Sequence, residues 1–297
     1  MPGIADLLPP DDLAALERAM VAARVLVEGP STGSHRSPNK GASIEFRQHR
    51  PYTVGDEIRR IDWKAFARLD RFFIREHEDE TSLRATIVLD SSGSMGYAGR
   101  GGRSKLDHAV RLAAGLAYLL IGQGDSVGLA VADTAIRSLV PARSGPGHLH
   151  HIADALAKAR PGGETALSAT IDRVEVRLKR RGLVVLISDL MDDAEPLLRA
   201  LARLRHARHD VAVLQVLDRD ELEFPFAGWT RFEGLERAEE TVVDPAHLRS
   251  AYLQALAAWR GELADGCRRQ RIDLTTLASD EPCGRQLAAW LGTRAAA

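Results

Sequence analysis

From residue 84 onward the chain alternates short apolar runs with amphipathic stretches, and this alternation limits the folds open to it. Residues 85–89 read Ala-Thr-Ile-Val-Leu, and similar runs recur at 183–187 and 211–217. Runs this short and this apolar suit strands buried on both faces of a parallel sheet. Helices are predicted between and beyond them, over 106–121, 148–159, 167–179, 196–208, 247–269 and 284–290. Further strands are predicted over 127–131 and 272–277, with a shorter one over 136–140 at the sheet edge. Such alternation predicts an α/β fold with a mostly parallel, doubly wound sheet covered on both faces. Ligands of such sheets bind beyond the carboxyl ends of the strands, near the switch in strand order. Asp90 and Asp189 both fall there, each at the end of an apolar run.

The stretch before the sheet is less regular. A helix is predicted over 10–26, capped by Asp11 or Asp12, with Leu13, Leu16, Met20 and Val27 at helical spacing. Residues 28–41 are rich in Gly, Ser and Pro and read as a loop. Residues 44–74 mix aromatics with arginines and read as short strands and turns. The expected division is a small N-terminal lobe over 1–80 and a sheet domain over 81–297 with a C-terminal extension. Within the latter, 222–243 is irregular and can hold a hairpin.

Composition excludes several classes of function. A formal net charge of -1 gives no overall field toward nucleic acid or anionic membranes. The apolar runs at 112–121 and 183–187 fall short of the roughly 20 residues that span a bilayer, so no membrane span is expected. Asp6, Asp11 and Asp12 come early, unlike a signal peptide. Cys267 and Cys283 have no CxxC partner, so a reduced, cytoplasmic setting is expected.

The chemistry concentrates after the first sheet strand. Asp90, Ser92 and Ser94 alternate in Asp-Ser-Ser-Gly-Ser, so an extended loop points their three oxygens the same way. Carboxylate and hydroxyl oxygens suit a hard cation, Mg²⁺ first, with Mn²⁺ or Ca²⁺ as alternatives. Gly162, Gly163, Glu164 and Thr165 lie in a loop before a helix, and Thr165 can add a third hydroxyl. Asp189, after Ile187 and Ser188, can add a second carboxylate. The competing reading is a strand-to-helix turn, because Ser, Asp and Gly also favour turns and caps.

The order of these three pieces resembles the metal-ion-dependent adhesion site of von Willebrand factor A domains: DxSxS, a loop Thr, then an Asp after the fourth strand. The resemblance implies that Ser92 and Ser94 bind a metal directly. Asp90 and Asp189 would act directly or through water, and Thr165 in one of two states. Glu164 is a departure, since many relatives have Gly directly before Thr.

A second resemblance lies upstream. Arg50, Pro51 and Tyr52, then Gly55 and Asp56, then Ile61, Asp62 and Trp63 with Ala67 and Arg68 are similar to the signature of the bacterial domain of unknown function 58 family. That signature precedes a von Willebrand A-like domain. It implies a partner, a MoxR-type AAA+ ATPase and/or its client protein, that offers an Asp or Glu to the metal. Between residues 47 and 75 there are eight Lys/Arg against four Asp/Glu. Pairs of arginines with Asp56 and Asp62, and Trp63 as a buried anchor, explain this stretch better than nucleic-acid binding does.

Other motifs fail. His148, His150 and His151 sit at a helix start, where their side chains diverge. The residues around Ser94 are not G-x-S-x-G, and no phosphate loop or G-x-G-x-x-G follows a strand. The expected function is therefore a non-enzymatic, metal-dependent protein-binding module, an adaptor or assembly factor. The alternative is a hydrolase using a metal-bound water, for which His108, expected to be solvated, is the nearest His in sequence. A purely structural metal site is a third reading.

Overall fold

The computed structural model describes residues 3–23, 45–51, 63, 66, 71–78, 83–178 and 180–296. It forms two compact units, Thr32–Ser82 and a body made of Met1–Ser31 with Leu83–Ala297. The body opens with helices α1 (Ile4–Leu7) and α2 (Pro10–Ala23). Its strands and helices then alternate as β3 (Arg84–Asp90), α3 (Lys105–Gly122), β4 (Ser126–Ala132), β5 (Ile136–Arg143), α4 (Pro146–Ala157), α5 (Leu167–Glu175), β6 (Leu183–Ser188), α6 (Ala194–His206) and β7 (Asp210–Leu217). A short helix α7 (Arg219–Glu223) leads to a hairpin of β8 (Thr230–Glu233) and β9 (Glu240–Val243), then α8 (Pro245–Arg269), β10 (Asp273–Ala278) and α9 (Cys283–Ala296). The expected hairpin within 222–243 is thus present.

Six strands form one sheet in the order β10-β7-β6-β3-β4-β5. Every neighbouring pair is parallel except β4 with β5. The antiparallel β5 is one edge, carries Pro141, and alternates half-buried with exposed residues, as an edge strand does. Side-chain alternation along the central strand divides the core in two. Ile87 and Leu89 of β3 join Leu112, Leu116 and Leu156 on one face, while Val88 joins Ile171, Leu197 and Leu201 on the other. The fold is therefore the α/β, mostly parallel, doubly wound sheet read from the sequence.

The N-terminal helix belongs to this body, so the structure draws the boundary differently from the division expected at residue 80. Leu8 and Leu16 are buried in the same cluster as Ile87 and Leu287. Leu16 lies beside Leu287 over Gly115, where an added Cβ would come within 3.0 Å of Leu16 and 2.8 Å of Leu287. Asp12 accepts a hydrogen bond from the Gly284 N–H at 2.8 Å, tying α2 to the start of α9.

In the other unit, β1 (Glu45–Pro51) pairs antiparallel with β2 (Phe73–Glu78). Trp63 meets Phe66 and Phe72 edge-on, and Phe66 stacks on Phe72. Trp63 is nevertheless 58% exposed, so it is not the buried anchor expected. Tyr52, Gly55, Asp56, Ile61, Asp62, Ala67 and Arg68 lie outside the described residues, and with them the expected pairing of Asp56 and Asp62 with arginines. Leu16→Ala should cost about 2–5 kcal/mol of unfolding free energy, as for a fully buried leucine. Trp63→Ala should cost less than Leu16→Ala. Denaturant unfolding of the two variants would show the reverse order if the helix were peripheral and the indole a core residue.

Candidate functional site

The strand order reverses around β3: the chain leaves it for β4 on one side and returns as β6 on the other. Leu89 pairs with Ile187, so the ends of β3 and β6 emerge side by side at this switch point. The Ser188 hydroxyl donates to Asp90 Oδ2 at 2.6 Å and accepts from the Leu190 N–H at 2.9 Å. Asp90 Oδ1 accepts from the Ser92 N–H at 2.8 Å. Burial, and next the nearby Asp189 carboxylate, push the Asp90 pKa up to about 7. Asp189 follows the fourth strand of the sheet, and Leu190 after it holds a left-handed backbone, φ 63°.

Backbone hydrogen bonds join the two loops. Gly93 N–H donates to the Gly163 carbonyl and Gly162 N–H to the Ser91 carbonyl, both at 3.0 Å. The loop after β3 turns through a short 3-10 helix, Gly93–Gly96, with the Ser92 and Ser94 hydroxyl oxygens 3.1 Å apart. Thr165 arrives beside Ser94 through a shared acid. Glu236 Oε1 accepts from the Ser94 N–H at 3.2 Å and from the Thr165 hydroxyl, and Oε2 accepts from the Thr165 N–H at 2.9 Å. Glu164 points elsewhere and pairs with Arg237 at 3.4 Å.

Asp189 is anchored by a positive charge. Lys105, at the start of α3, is 1% exposed, and its Nζ lies 2.8 Å from Asp189 Oδ2 and 2.6 Å from Glu221 Oε1. Asp189 Oδ1 accepts from the Met191 N–H at 3.1 Å. Burial opposes the charge on Lys105, but the two carboxylates outweigh it and raise the pKa. Asp90, Ser92 and Ser94 thus adjoin on one loop, Thr165 meets that loop through Glu236, and Asp189 is close enough to Asp90 to raise its pKa.

The donors are hard oxygens of the kind Mg²⁺ takes. Adjacent ligands of an octahedral Mg²⁺ lie about 2.9 Å apart when each sits about 2.0–2.1 Å from the metal, close to the 3.1 Å between the Ser92 and Ser94 hydroxyls. Among the described residues no group of three or more His, Cys, Asp or Glu converges as a metal site. The residues present fit a cation held mainly by hydroxyls.

Four participants were not read from the sequence: Ser188, Lys105, Glu221 and Glu236. Ser188 stands beside Asp189, but a serine ending a strand carries no signal of its own. Glu221 is in a capping box with Asp218 at the start of α7, which explains it locally without pointing to Lys105. Glu236 comes from a hairpin 142 residues from Ser94, and no spacing rule links them.

The histidines also find their places. His148 is buried, with its Nε2 donating to the Val127 carbonyl at 2.7 Å, while His150 and His151 are exposed. His108, expected to be solvated, is fully buried instead. Its Nε2 donates to Gln286 Oε1 at 2.7 Å, and its Nδ1 is buried without a hydrogen bond. The face of α3 that carries it turns inward beneath α9, which a count of neighbours in sequence does not reveal. Burial lowers the His108 pKa from 6.5 to about 4.

Between those values the unfolded chain holds more protons at this position than the folded one. The His108 contribution is therefore present above pH 6.5 and lost as the pH falls toward about 4. His108→Gln should remove on the order of 3 kcal/mol of pH-dependent stability across that window. Unfolding curves at pH 4, 5.5 and 7 for both proteins would check it, and parallel pH dependences would contradict it. Lys105→Ala, which leaves Asp189 buried without its cation, should cost about 3–5 kcal/mol, read from denaturant unfolding in chelator. A loss below 1 kcal/mol would mean that Asp189 does not depend on Lys105.

The chain is 32% identical over 282 residues to uncharacterized proteins of Mycobacterium bovis and Mycobacterium tuberculosis, covering 93% of this chain and 87% of each relative. Among solved structures, the conserved hypothetical protein BatB from Bacteroides thetaiotaomicron aligns at 17% identity and a TM-score of 0.44, over 73% of this chain and all of that one. An aerotolerance-related membrane protein from Bacteroides fragilis aligns at 18% and 0.46, over 71% of this chain and all of that one. The fold itself is given by the strand order β10-β7-β6-β3-β4-β5. The family model described as "Protein of unknown function DUF58" matches residues 48–262, and with the mycobacterial relatives this shows that the chain belongs to the DUF58 family.

Proposed function

We propose that this chain is a non-enzymatic, metal-dependent protein-binding module. Asp90, Ser92, Ser94, Thr165 and Asp189 would hold one Mg²⁺, which supplies a positive charge able to take a carboxylate from outside. One observation carries the reading: a buried carboxylate and two serine hydroxyls lie on the loop at the switch point, and the same loop, with Thr165, already holds a carboxylate, that of Glu236, through the Ser94 N–H, the Thr165 N–H and the Thr165 hydroxyl. An anion seated on N–H and O–H donors beside buried acids is what a partner's Asp or Glu would imitate.

The position of His108 also favours binding over hydrolysis. A general base must reach the proton that it takes, and this imidazole is buried and committed to Gln286. The family resemblance supplies the partner class, a MoxR-type AAA+ ATPase or its client, with nucleotide hydrolysis left to the partner. Both cysteines are free and buried, in keeping with work in the cytoplasm. Among the described residues no helix is long and apolar enough to cross a membrane.

Calorimetry should find one Mg²⁺ or Mn²⁺ per chain, and bound metal should raise the melting temperature by mass action. Asp90→Ala should stay folded and weaken the metal at least tenfold. Co-purification with the AAA+ ATPase should then require Mg²⁺ and be lost with EDTA or Ser94→Ala. Equal metal affinity in wild type and Asp90→Ala would remove the metal reading. Association indifferent to both EDTA and Ser94→Ala would place the interface elsewhere.

A further inference from the structure

Glu236 lies where the proposed function has a partner's acid. It belongs to the turn between β8 and β9, which is closed by Gly234 N–H to the Glu239 carbonyl at 2.7 Å and Glu239 N–H to the Arg237 carbonyl at 2.8 Å. Arg237 pairs with Glu164 next to Thr165, so the turn is fastened beside the site as well as within it. The two oxygens of Glu236 collect three donors from both loops: the Ser94 N–H, the Thr165 N–H and the Thr165 hydroxyl. The Leu235 carbonyl packs against Gly93 so closely that a Cβ there would lie 2.4 Å from it. Glycine between the two serines is therefore required by the docked turn, apart from any need of the loop itself.

Among the described residues Glu236 has no Lys, Arg or His partner, although its neighbours Glu233, Glu240 and Glu164 each have an arginine. Its place is instead on the Thr165 hydroxyl and on the N–H of Ser94, whose hydroxyl lies 3.1 Å from that of Ser92. Resting on the metal reading above, we propose that Glu236 is a further metal ligand supplied by the chain itself, an internal carboxylate standing where a partner's acid would otherwise bind. A tethered acid acts at an effective concentration of about millimolar or more. Weak external acids would therefore be shut out, and a partner would engage the metal only by displacing the β8–β9 turn.

The test compares wild type, Glu236→Gln and Ser94→Ala with Mn²⁺ alone. Titration calorimetry would measure affinity, and hydrogen–deuterium exchange would follow residues 234–239. Wild type should bind Mn²⁺ and slow exchange in the turn severalfold. Glu236→Gln, which keeps an acceptor for the turn, should bind Mn²⁺ about tenfold more weakly and show no protection of the turn on metal addition. Ser94→Ala should lose both responses. If Mn²⁺ binds wild type and Glu236→Gln equally, or if the metal speeds exchange in the wild-type turn, the internal ligand is overturned while the metal site stands. If wild type binds no Mn²⁺, both fall together.

Discussion

Two carboxylates, Asp90 and Asp189, are buried near each other at the ends of adjacent strands. Like charges in a poorly solvated place are costly unless something opposes them. The Lys105 ammonium opposes one: it takes Asp189 directly and reaches Glu221 on the far side. That single buried cation ties the start of α3 to the end of β6 and to α7. It does not touch Asp90, whose pKa is driven up to about 7 by burial and by Asp189. The site is thus left with one carboxylate whose charge is expensive, next to hydroxyls 3.1 Å apart. The proposed Mg²⁺ would offset the charge on Asp90 from the side on which those hydroxyls lie.

Most of the body was legible in the sequence because its signals are local and repeated. β3, β6 and β7 are continuous apolar runs, and each was located to within a residue or so at either end. The Asp90 loop was legible because a carboxylate and two hydroxyls at alternate positions form a short-range pattern. Asp189 was legible because a strand delivered it to the same edge. Element ends were blurred where tertiary packing decides them. α9 runs to Ala296, well past the Trp290 at which its pattern faded, and α5 stops at Glu175, short of the expected 179.

What could not be read is non-local. Glu236 joins the site through a hairpin, and Lys105 through an ion pair spanning 84 residues to Asp189. Neither carries a motif, because a lysine beginning a helix and a glutamate in a turn are ordinary solvent-facing choices. Trp63 misled for a related reason: a tryptophan among arginines suggests an anchor, yet burial depends on what lies opposite it. The N-terminal helix, legible as a helix, groups with the sheet-bearing body rather than with residues 32–82. Its partner, α9, lies at the opposite end of the sequence.

The union of α2 with α9 has a temporal meaning. Asp12 and Gly284, joined by a hydrogen bond, are 272 residues apart. At typical synthesis rates of about 5–20 residues per second, the ribosome needs on the order of tens of seconds to supply the second after the first. During that interval Leu8 and Leu16 have no Leu287 to cover them, while the Thr32–Ser82 segment has already emerged whole. The sheet-bearing body therefore cannot close in the order in which it is made. The segment between its two portions is synthesised before the second of them, and Leu8 and the face of α2 that carries Leu16 wait until Gly284 and Leu287 have been added.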